Sequence, residues 1–147
     1  MEMRKNLLIP VGISKYFKPE HFHHYPLVGL PQEFIDTRGS IVNIADGALG
    51  DVAVITSKSN SIRANHTHKE DWHLSYLIDG EIKYFWEEDL KQKSIIIKPG
   101  ELFYTPPKTP HKMLFLKESI FIAVAAMSRT QENYENDTTR LEDGYFN

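Results

Sequence analysis

Short runs in which apolar and polar positions alternate make up most of the chain after residue 39. This period of two is typical of half-buried β-strands. Nine runs are predicted as strands: Ser40–Ala45, Asp51–Thr56, Ser61–His66, His73–Ile78, Glu81–Glu87, Ser94–Lys98, Glu101–Thr105, Lys112–Leu116 and Ser119–Ala126. The Asp79-Gly80 pair between two hydrophobic runs predicts a tight hairpin. Nine short strands with almost no amphipathic helix predict an all-β sandwich or barrel.

The two ends of the chain have a different texture. Prolines and glycines recur too often before residue 36 for a long helix. Residues 1–35 are therefore predicted to form an irregular N-terminal arm, either as an edge strand or packed on a partner subunit. Residues 36–127 form the predicted barrel. The short tail, residues 128–147, is predicted to be either a closing helix over Thr130–Asn136 or a loose terminus.

Composition narrows the class of protein without changing this fold. The 147 residues suffice for one domain, and 12% aromatic residues suit a β-rich interior. A net charge of −3 gives no reason to bind nucleic acid or an anionic membrane. The absence of cysteine excludes disulfides, cysteine-ligated metals and thiol catalysis. The apolar run Leu7–Ile13 contains Pro10 and is too short for a signal peptide, so we expect a cytoplasmic protein.

Four of the seven histidines form a pattern that points to chemistry: His66, His68, His73 and His111. His66 and His68 are two residues apart, so on a strand both side chains leave the same face. His73 follows a short connection, and His111 follows a proline-rich turn. Neutral imidazoles that converge from several strands suit one divalent Zn, Fe, Ni, Cu or Mn ion. The alternative is that each histidine is hydrogen-bonded separately.

These histidines lie in two segments that resemble the motifs of the cupin superfamily, which are small jelly-roll β-barrels. The spacing of the first motif is matched by Asn60, His66-Thr-His68, His73 and Gly80, and that of the second by Gly100, Pro106-Pro-Lys108 and His111. The identities depart from the motifs at Asn60, His73, Lys108 and Phe115. The resemblance implies a single-domain barrel. With His73 in place of the usual glutamate, it implies a metal site of four histidines: His66, His68, His73 and His111.

A finer resemblance bears on the substrate. The segment Phe34-Ile-Asp36-Thr-Arg38-Gly39-Ser40 resembles the opening of the dTDP-4-keto-6-deoxyhexose 3,5-epimerases, where the arginine grips the nucleotide diphosphate. An arginine fork suits phosphate oxygens. The segment Arg63-Ala-Asn65-His66-Thr-His68 is similar to segments of those epimerases and of the nucleotide-sugar 3,4-ketoisomerases. The resemblance implies that His66 is the base beside the keto group, and that His68 is a second catalytic histidine.

Further residues receive roles with a plainer alternative beside each. His73 stands where the epimerases place a lysine that stabilises the enolate, and Tyr104 faces the cavity as an acid if strand parity holds. Arg38 either binds phosphate or closes a turn with Asp36. Arg63 points away from the cavity on a regular strand, so it binds substrate only if a bulge intervenes. Trp86 either packs in the core or stacks on the base or sugar of the substrate.

Three functions are compatible with these residues. The first is a nucleotide-sugar epimerase or isomerase of surface-polysaccharide synthesis that abstracts a proton with histidine and needs no metal. The second is a four-histidine metal cupin, acting as a dioxygenase or isomerase on a small organic substrate. The third is a non-catalytic cupin that binds a sugar or nucleotide. We expect the first, an enzyme with a nucleotide-sugar substrate, and the resemblance also implies a homodimer formed through an exchanged N-terminal strand.

Overall fold

The structure, a computed structural model, describes residues 28–45, 49–128 and 130–146. These ranges contain twelve strands and one helix: β1 (Val28–Gly29), β2 (Glu33–Asp36), β3 (Gly39–Val42), β4 (Asp51–Ser57), β5 (Ile62–His68), β6 (His73–Asp79), β7 (Ile82–Glu88), β8 (Lys91–Ile97), β9 (Leu102–Thr105), β10 (His111–Phe115), β11 (Ser119–Ala125), α1 (Gln131–Asp137) and β12 (Thr138–Arg140). The helix is too short and too polar to cross a membrane.

The strands form two five-stranded sheets that face each other. The strand order is β1-β9-β6-β11-β4 in the first sheet and β12-β5-β10-β7-β8 in the second, and β2 and β3 form a separate hairpin. Every pairing is antiparallel. The all-β prediction is confirmed, since two facing antiparallel sheets with few helices are the jelly-roll arrangement.

Alternation along the strands builds the core between the sheets. The side chains turned inward are large and apolar and include Leu77, Tyr84, Phe103, Phe115 and Phe121, each no more than 1% exposed. A second, smaller cluster of Leu74, Leu102, Tyr104 and Val124 covers the outer face of the first sheet. Strands at the centre of this sheet are therefore buried on both faces.

All nine predicted strands are present, with shifted ends. The clearest shift is in β8, which begins at Lys91, whereas the alternation predicted a start at Ser94. Lysines at alternate positions are compatible with this strand because most of its first half is exposed. The very short strands β1 and β12 and the hairpin strand β2 gave no usable alternation in the sequence.

The predicted Asp79-Gly80 hairpin is wrong. Strand β6 lies in the first sheet and β7 in the second, so this turn carries the chain from one sheet to the other. The tight hairpin instead joins β7 to β8 through Asp89 and Leu90, whose φ angles are 51° and 63°. Leucine is uncommon at positive φ, which is why the sequence indicated a solvated turn near Asp89 but not a tight hairpin.

Two departures from the cupin motifs keep the backbone that the motifs require. Asn60 and Lys108 stand at the positions of motif glycines and adopt φ angles of 68° and 64°. Glycine is favoured in this left-handed region because it has no Cβ, and asparagine tolerates it better than lysine. The motif spacing is therefore maintained with some backbone strain at Lys108.

The ends of the barrel differ in how far they are described. The closing helix predicted over Thr130–Asn136 is confirmed as α1, and the Thr130 side chain caps it by accepting a hydrogen bond from the Asn133 amide. Of the N-terminal arm, residues 28–35 are described: β1 pairs with β9, and β2 begins the exposed hairpin. The remainder of the predicted arm, and any strand exchange by it, lies outside the described residues.

Candidate functional site

A cavity of about 180 Å³ opens between the two sheets at one end of the barrel. Its polar wall includes the four predicted histidines, two carboxylates that the sequence did not suggest, and one arginine: His66, His68, His73, His111, Asp71, Asp137 and Arg63. The apolar wall comes from the core. Helix α1 and strand β12 close the remaining side.

Strand pairing explains why the histidines meet. His111 opens β10 and lies opposite His66 on β5, with their ring centroids 4.8 Å apart. His68 follows two residues later on the same face of β5, and its ring centroid lies 4.4 Å from that of His66. His73 opens β6 in the other sheet, 4.5 Å from the ring of His68. The connection from β5 to β6 therefore brings both sheets to one site.

A bulge in β5 turns Arg63 into the cavity. Ala64 and Asn65 have φ angles of 66° and 60°, and the pairing with β10 shifts between His111 and Lys112, which leaves Asn65 without an opposite residue. One extra residue reverses the parity of the strand before it. Arg63 consequently shares the cavity face with His66. A bulge of this kind was the condition under which Arg63 was predicted to bind substrate.

Polar bonds across the seam between the sheets hold Arg63 in place. Its Nε donates to the Ser57 hydroxyl at 2.7 Å and one terminal nitrogen donates to the Thr56 carbonyl at 2.9 Å. Both acceptors belong to β4 in the first sheet, whereas Arg63 belongs to β5 in the second. Arg63 therefore lines the cavity and links the two sheets.

The four histidines form two overlapping groups rather than a single set of four ligands. His66, His68 and His111 offer nitrogen atoms within 4.8 Å of one another, and so do His68 and His73 together with a carboxylate oxygen of Asp71. His68 belongs to both groups. A metal site of all four histidines stays a prediction, and the geometry favours either triad over the full set.

Each of two histidines has a buried carboxylate partner. His68 Nδ1 lies 3.2 Å from Asp137 Oδ2, and His73 Nε2 lies 3.0 Å from Asp71 Oδ2. Asp137 also accepts hydrogen bonds from the backbone amides of Glu70 and Asp71, at 2.8 and 3.3 Å. Its carboxylate therefore fixes both an imidazole and the connection between β5 and β6.

Burial favours the neutral form of His66, His68 and His111. It lowers the pKa of His66 from 6.5 to about 2, with smaller contributions from the other histidines and Arg140. Burial likewise lowers the pKa of His111 to about 3, and it lowers that of His68 against the opposing effect of Asp71 and Asp137. Burial is the largest single influence on Asp71 and raises its pKa, but the hydrogen bond and charge of His73, the Met127 amide and the charge of His68 together outweigh it, so the pKa falls.

Two nitrogen atoms of the cluster are buried without a hydrogen-bond partner in the described part of the chain: His66 Nδ1 and His68 Nε2. Buried polar atoms are almost always paired, so unpaired atoms in a cavity indicate a ligand, a water or an ion. His111 Nδ1 lies 2.8 Å from the Thr109 carbonyl, so this nitrogen carries the proton and Nε2 is the free acceptor. This donor set fits a divalent transition metal.

Three predicted site residues do not line the cavity: Tyr104, Trp86 and Arg38. Tyr104 pairs with Leu74, whereas the cavity face of β9 is that of Thr105, which lies opposite His73. Strand parity therefore places Tyr104 in the outer cluster, and the expectation that it faces the cavity is wrong. Trp86 is 3% exposed and packs in the core between the sheets.

Arg38 lies on the separate hairpin, outside the cavity. Its backbone amide donates to Asp36 Oδ1 at 2.8 Å, and its Nε donates to Asp36 Oδ2 at 3.2 Å. Both side chains are well exposed at the turn between β2 and β3. Within the described residues, Arg38 thus closes a turn, which was the plainer of its two interpretations.

Helix α1 supplies site residues that sequence reasoning missed. Asn133 and Tyr134 line the cavity, and the ring centroid of Tyr134 lies 6.2 Å from that of His66. No motif marks this segment. The only signal was the helix start at Thr130, which predicted an element without saying where it would pack.

Comparisons with known proteins agree with this fold. Residues 53–124 match the family model of the cupin domain. The dTDP-4-dehydrorhamnose 3,5-epimerase from Sulfolobus tokodaii superposes with a TM-score of 0.66 at 15% identity, covering 82% of this chain and 79% of that one. No curated protein sequence matches this chain significantly.

Two 3,4-ketoisomerases are similarly close in structure. QdtA from Thermoanaerobacterium thermosaccharolyticum, in complex with TDP, has a TM-score of 0.64 at 20% identity, covering 78% of this chain and 86% of that one. The enzyme from Helicobacter canadensis has a TM-score of 0.60 at 20% identity, covering 76% of this chain and 87% of that one. At these identities the likeness establishes the shared fold.

Proposed function

From the premise that this chain has the cupin fold, we propose that it is an isomerase or epimerase of a nucleotide-linked keto sugar. It moves a proton on the carbon beside the keto group. The observation that carries the proposal is His68, a neutral imidazole held by Asp137 on one nitrogen and free on the other. The structural neighbours, which are dTDP-sugar epimerases and sugar ketoisomerases, support the substrate class.

His68 is a better base than His66, to which the resemblance gave that role. With Nδ1–H donated to Asp137, Nε2 of His68 carries the lone pair that accepts the proton. The carboxylate then stabilises the imidazolium that forms, as in other histidine–aspartate pairs. His66 has no carboxylate partner among the described residues, and burial lowers its pKa to about 2. Neutral His66 keeps one N–H group that can stabilise the enolate oxygen by hydrogen bonding, whereas the N–H of His111 is already donated to the Thr109 carbonyl.

The pair of His73 and Asp71 provides a second proton carrier. The ring of His73 lies 4.5 Å from that of His68 in the same cavity. His73 is the more exposed of the two histidines, with 20% of its side chain accessible. One histidine can therefore remove a proton while the other returns one, as an isomerisation through an enediol requires.

Solvent exchange tests the proposed reaction. The wild-type protein is incubated in D₂O with a dTDP-4-keto-6-deoxy sugar, and deuterium beside the keto group is followed by NMR. His68→Asn should slow exchange about 10²- to 10⁴-fold. Lys117→Ala, at the end of the barrel away from the cavity, is the matched control and should exchange like the wild type. Binding of the sugar nucleotide without exchange by the wild type would favour the non-catalytic alternative.

A metal centre is the second candidate, and the two unpaired buried nitrogens favour it. His66, His68 and His111 would hold the ion, with Asp137 orienting His68 from behind. A bound divalent metal would supply Lewis-acid polarisation of a carbonyl oxygen. An ion on Nε2 of His68 would occupy the lone pair that the first candidate needs, so the base would then be His73 with Asp71.

Elemental analysis of tag-free protein separates the two candidates. About one transition metal per chain supports the metal centre, and essentially none after reconstitution supports proton transfer by free His68. His111→Ala should lose the metal and His73→Ala should retain it if the triad is the ligand set. Loss in both variants would favour the four-histidine set.

We also propose a homodimer in which the β2–β3 hairpin packs on a second copy. Phe34, Ile35 and Ile41 of this hairpin are 47%, 74% and 62% exposed. A two-stranded hairpin with exposed apolar side chains is marginally stable alone. Light scattering should therefore give a dimer mass, and Ile35→Asp should shift it towards the monomer. Leu90→Asp, at a turn residue that is 93% exposed, is the control and should remain dimeric.

A further inference from the structure

We propose that Arg140 binds an anionic group of the ligand at the mouth of the cavity, and that Tyr134 holds the Arg140 guanidinium in place. The ligand class is a phosphorylated sugar or nucleoside diphosphate, and this part rests on the proposed function. Both residues lie in the segment after the cupin domain, which ends at residue 124. No sequence motif pointed to either residue.

The register of β12 places Arg140 on the cavity side. Thr138 lies opposite His68 and Arg140 lies opposite His66 in the pairing of β12 with β5. Thr138 lines the cavity, and residues two apart on a strand share a face. Arg140 is exposed, whereas His66 opposite it is buried. Arg140 therefore lies on the cavity face where that face meets solvent.

Tyr134 connects Arg140 to the cavity wall. The guanidinium carbon of Arg140 lies 5.8 Å from the centroid of the Tyr134 ring, within the range of a cation–π contact. The same ring lines the cavity, 6.2 Å from the ring of His66. An aromatic ring in this position restrains the arginine side chain and leaves its N–H groups available.

The charge of Arg140 is available to a ligand, unlike those of Arg38 on the hairpin and Arg63 in the cavity wall. Arg38 is ion-paired with Asp36, and Arg63 donates to Ser57 and Thr56. Arg140 makes no ion pair with any carboxylate in the described ranges, and its one aromatic contact there is Tyr134. A guanidinium presents a planar fork that matches two phosphate oxygens.

The backbone on both sides of Arg140 is fixed. Before it, buried Asp137 binds the amide of Glu70, and after it the Leu141 amide donates to the Asn65 carbonyl at 2.9 Å. Farther along, Phe146 is 3% exposed and its ring packs 5.9 Å from that of Phe85. Arg140 therefore extends from an anchored segment and loses little backbone freedom when a ligand binds.

Calorimetric titration with dTDP tests this inference on the full chain. Arg140→Gln should weaken binding about 10- to 100-fold, the range expected for losing a charge-assisted hydrogen bond. Arg140→Lys should recover part of the loss. Tyr134→Phe should bind like the wild type, because it keeps the ring, whereas Tyr134→Leu should weaken binding. Circular dichroism on each variant checks that it folds.

Arg38→Gln is the matched comparison, since it makes the same change at an arginine outside the cavity. A loss of dTDP binding in Arg38→Gln with none in Arg140→Gln would overturn the inference. In the exchange assay Arg140→Gln should raise KM and leave kcat near the wild-type value. If the wild type binds dTDP and Arg140→Gln does not, but the wild type shows no deuterium exchange, the proposed reaction is overturned and the anion site is retained. If the wild type exchanges deuterium and KM is unchanged in Arg140→Gln, the proposed reaction is retained and the anion site is overturned. Failure of the wild type to bind dTDP would also overturn the inference.

Discussion

The β2–β3 hairpin and the segment from α1 to Phe146 both flank the cupin domain, and they relate to the site in opposite ways. The hairpin contains the sugar-epimerase-like motif, yet it is exposed and its Arg38 is paired with Asp36 away from the cavity. The C-terminal segment contains no motif, yet it supplies Asn133, Tyr134 and Asp137 to the cavity wall. Local resemblance and position in the fold are thus separate kinds of evidence.

Substituting one aspartate in each region should give the largest difference between the two. Asp137→Asn removes the carboxylate that fixes the tautomer of His68 and stabilises its imidazolium. We expect proton exchange to slow about 10²- to 10⁴-fold. Asp36→Asn, on the exposed hairpin, should leave the rate within a factor of about two of the wild type. Equal losses in both variants would mean that the hairpin contributes to the reaction as much as the C-terminal segment.

Acid should destabilise the histidine site that the C-terminal segment covers. The folded-state pKa values of His66 and His111, about 2 and about 3, lie below the ordinary value of 6.5, so the unfolded chain binds more protons between those values. The stabilisation is complete above pH 6.5 and is lost as the pH falls towards 3. At pH 5 the protonation of each histidine in the unfolded chain should lower the free energy of unfolding by about 2 kcal/mol relative to neutral pH.

Urea unfolding of metal-free protein at pH 7.5 and pH 5 measures this loss. His66→Gln should reduce the difference between the two pH values, whereas Asp36→Asn on the hairpin should leave it unchanged. A free energy of unfolding that is the same at both pH values would show that the imidazoles are already solvated or charged.

Removing one phenylalanine from each region compares how firmly the two are anchored. Phe146 is 3% exposed and packs against Phe85, so Phe146→Ala should lower the free energy of unfolding by about 3 kcal/mol. Phe34 is 47% exposed on the hairpin, and Phe34→Ala should cost less than about 1 kcal/mol in the monomer. Chemical denaturation at low protein concentration provides both values. A larger loss of stability in Phe34→Ala than in Phe146→Ala would contradict the firmer anchoring of the C-terminal segment.

The smallest effect concerns backbone strain. Lys108 has a φ angle of 64° beside the site, where its amide donates to the His68 carbonyl, whereas positive φ in the hairpin turn falls on Gly39. Lys108→Gly should therefore raise the free energy of unfolding by about 0.5–1 kcal/mol. Asn60→Gly should change it little, since asparagine tolerates this conformation. A destabilised Lys108→Gly would mean that the lysine side chain contributes contacts that outweigh the strain.

The sequence was sufficient for the barrel and for the histidine cluster because both rest on local regularities. Alternation marked nine strands. The motif spacing identified His66, His68, His73 and His111 as one cluster, although Asn60 and Lys108 stand where the motifs have glycine. Facts that depend on tertiary placement were not accessible. Asp137 lies 69 residues from His68 along the chain, and no local pattern connects the two.

Predictions of which face a side chain takes assumed regular strands, and the structure reverses them for both Arg63 and Tyr104. Arg63 enters the cavity because of the bulge at Ala64 and Asn65, a backbone feature that those residue types do not announce. Tyr104 leaves it because β9 pairs with β6 so that Thr105 lies opposite His73. In both cases the register between strands decided the outcome, and register is set by partners distant in sequence.

Deuterium exchange by chelator-treated wild-type protein is the most direct test of the proposed proton transfer. The claim is that free His68, held by Asp137, removes a proton beside the keto group of a nucleotide-linked sugar. It predicts deuterium at that carbon of a dTDP-4-keto-6-deoxy sugar, at a rate that the chelator does not change. No deuterium above a control without protein, or exchange that returns only when metal is restored, would contradict it.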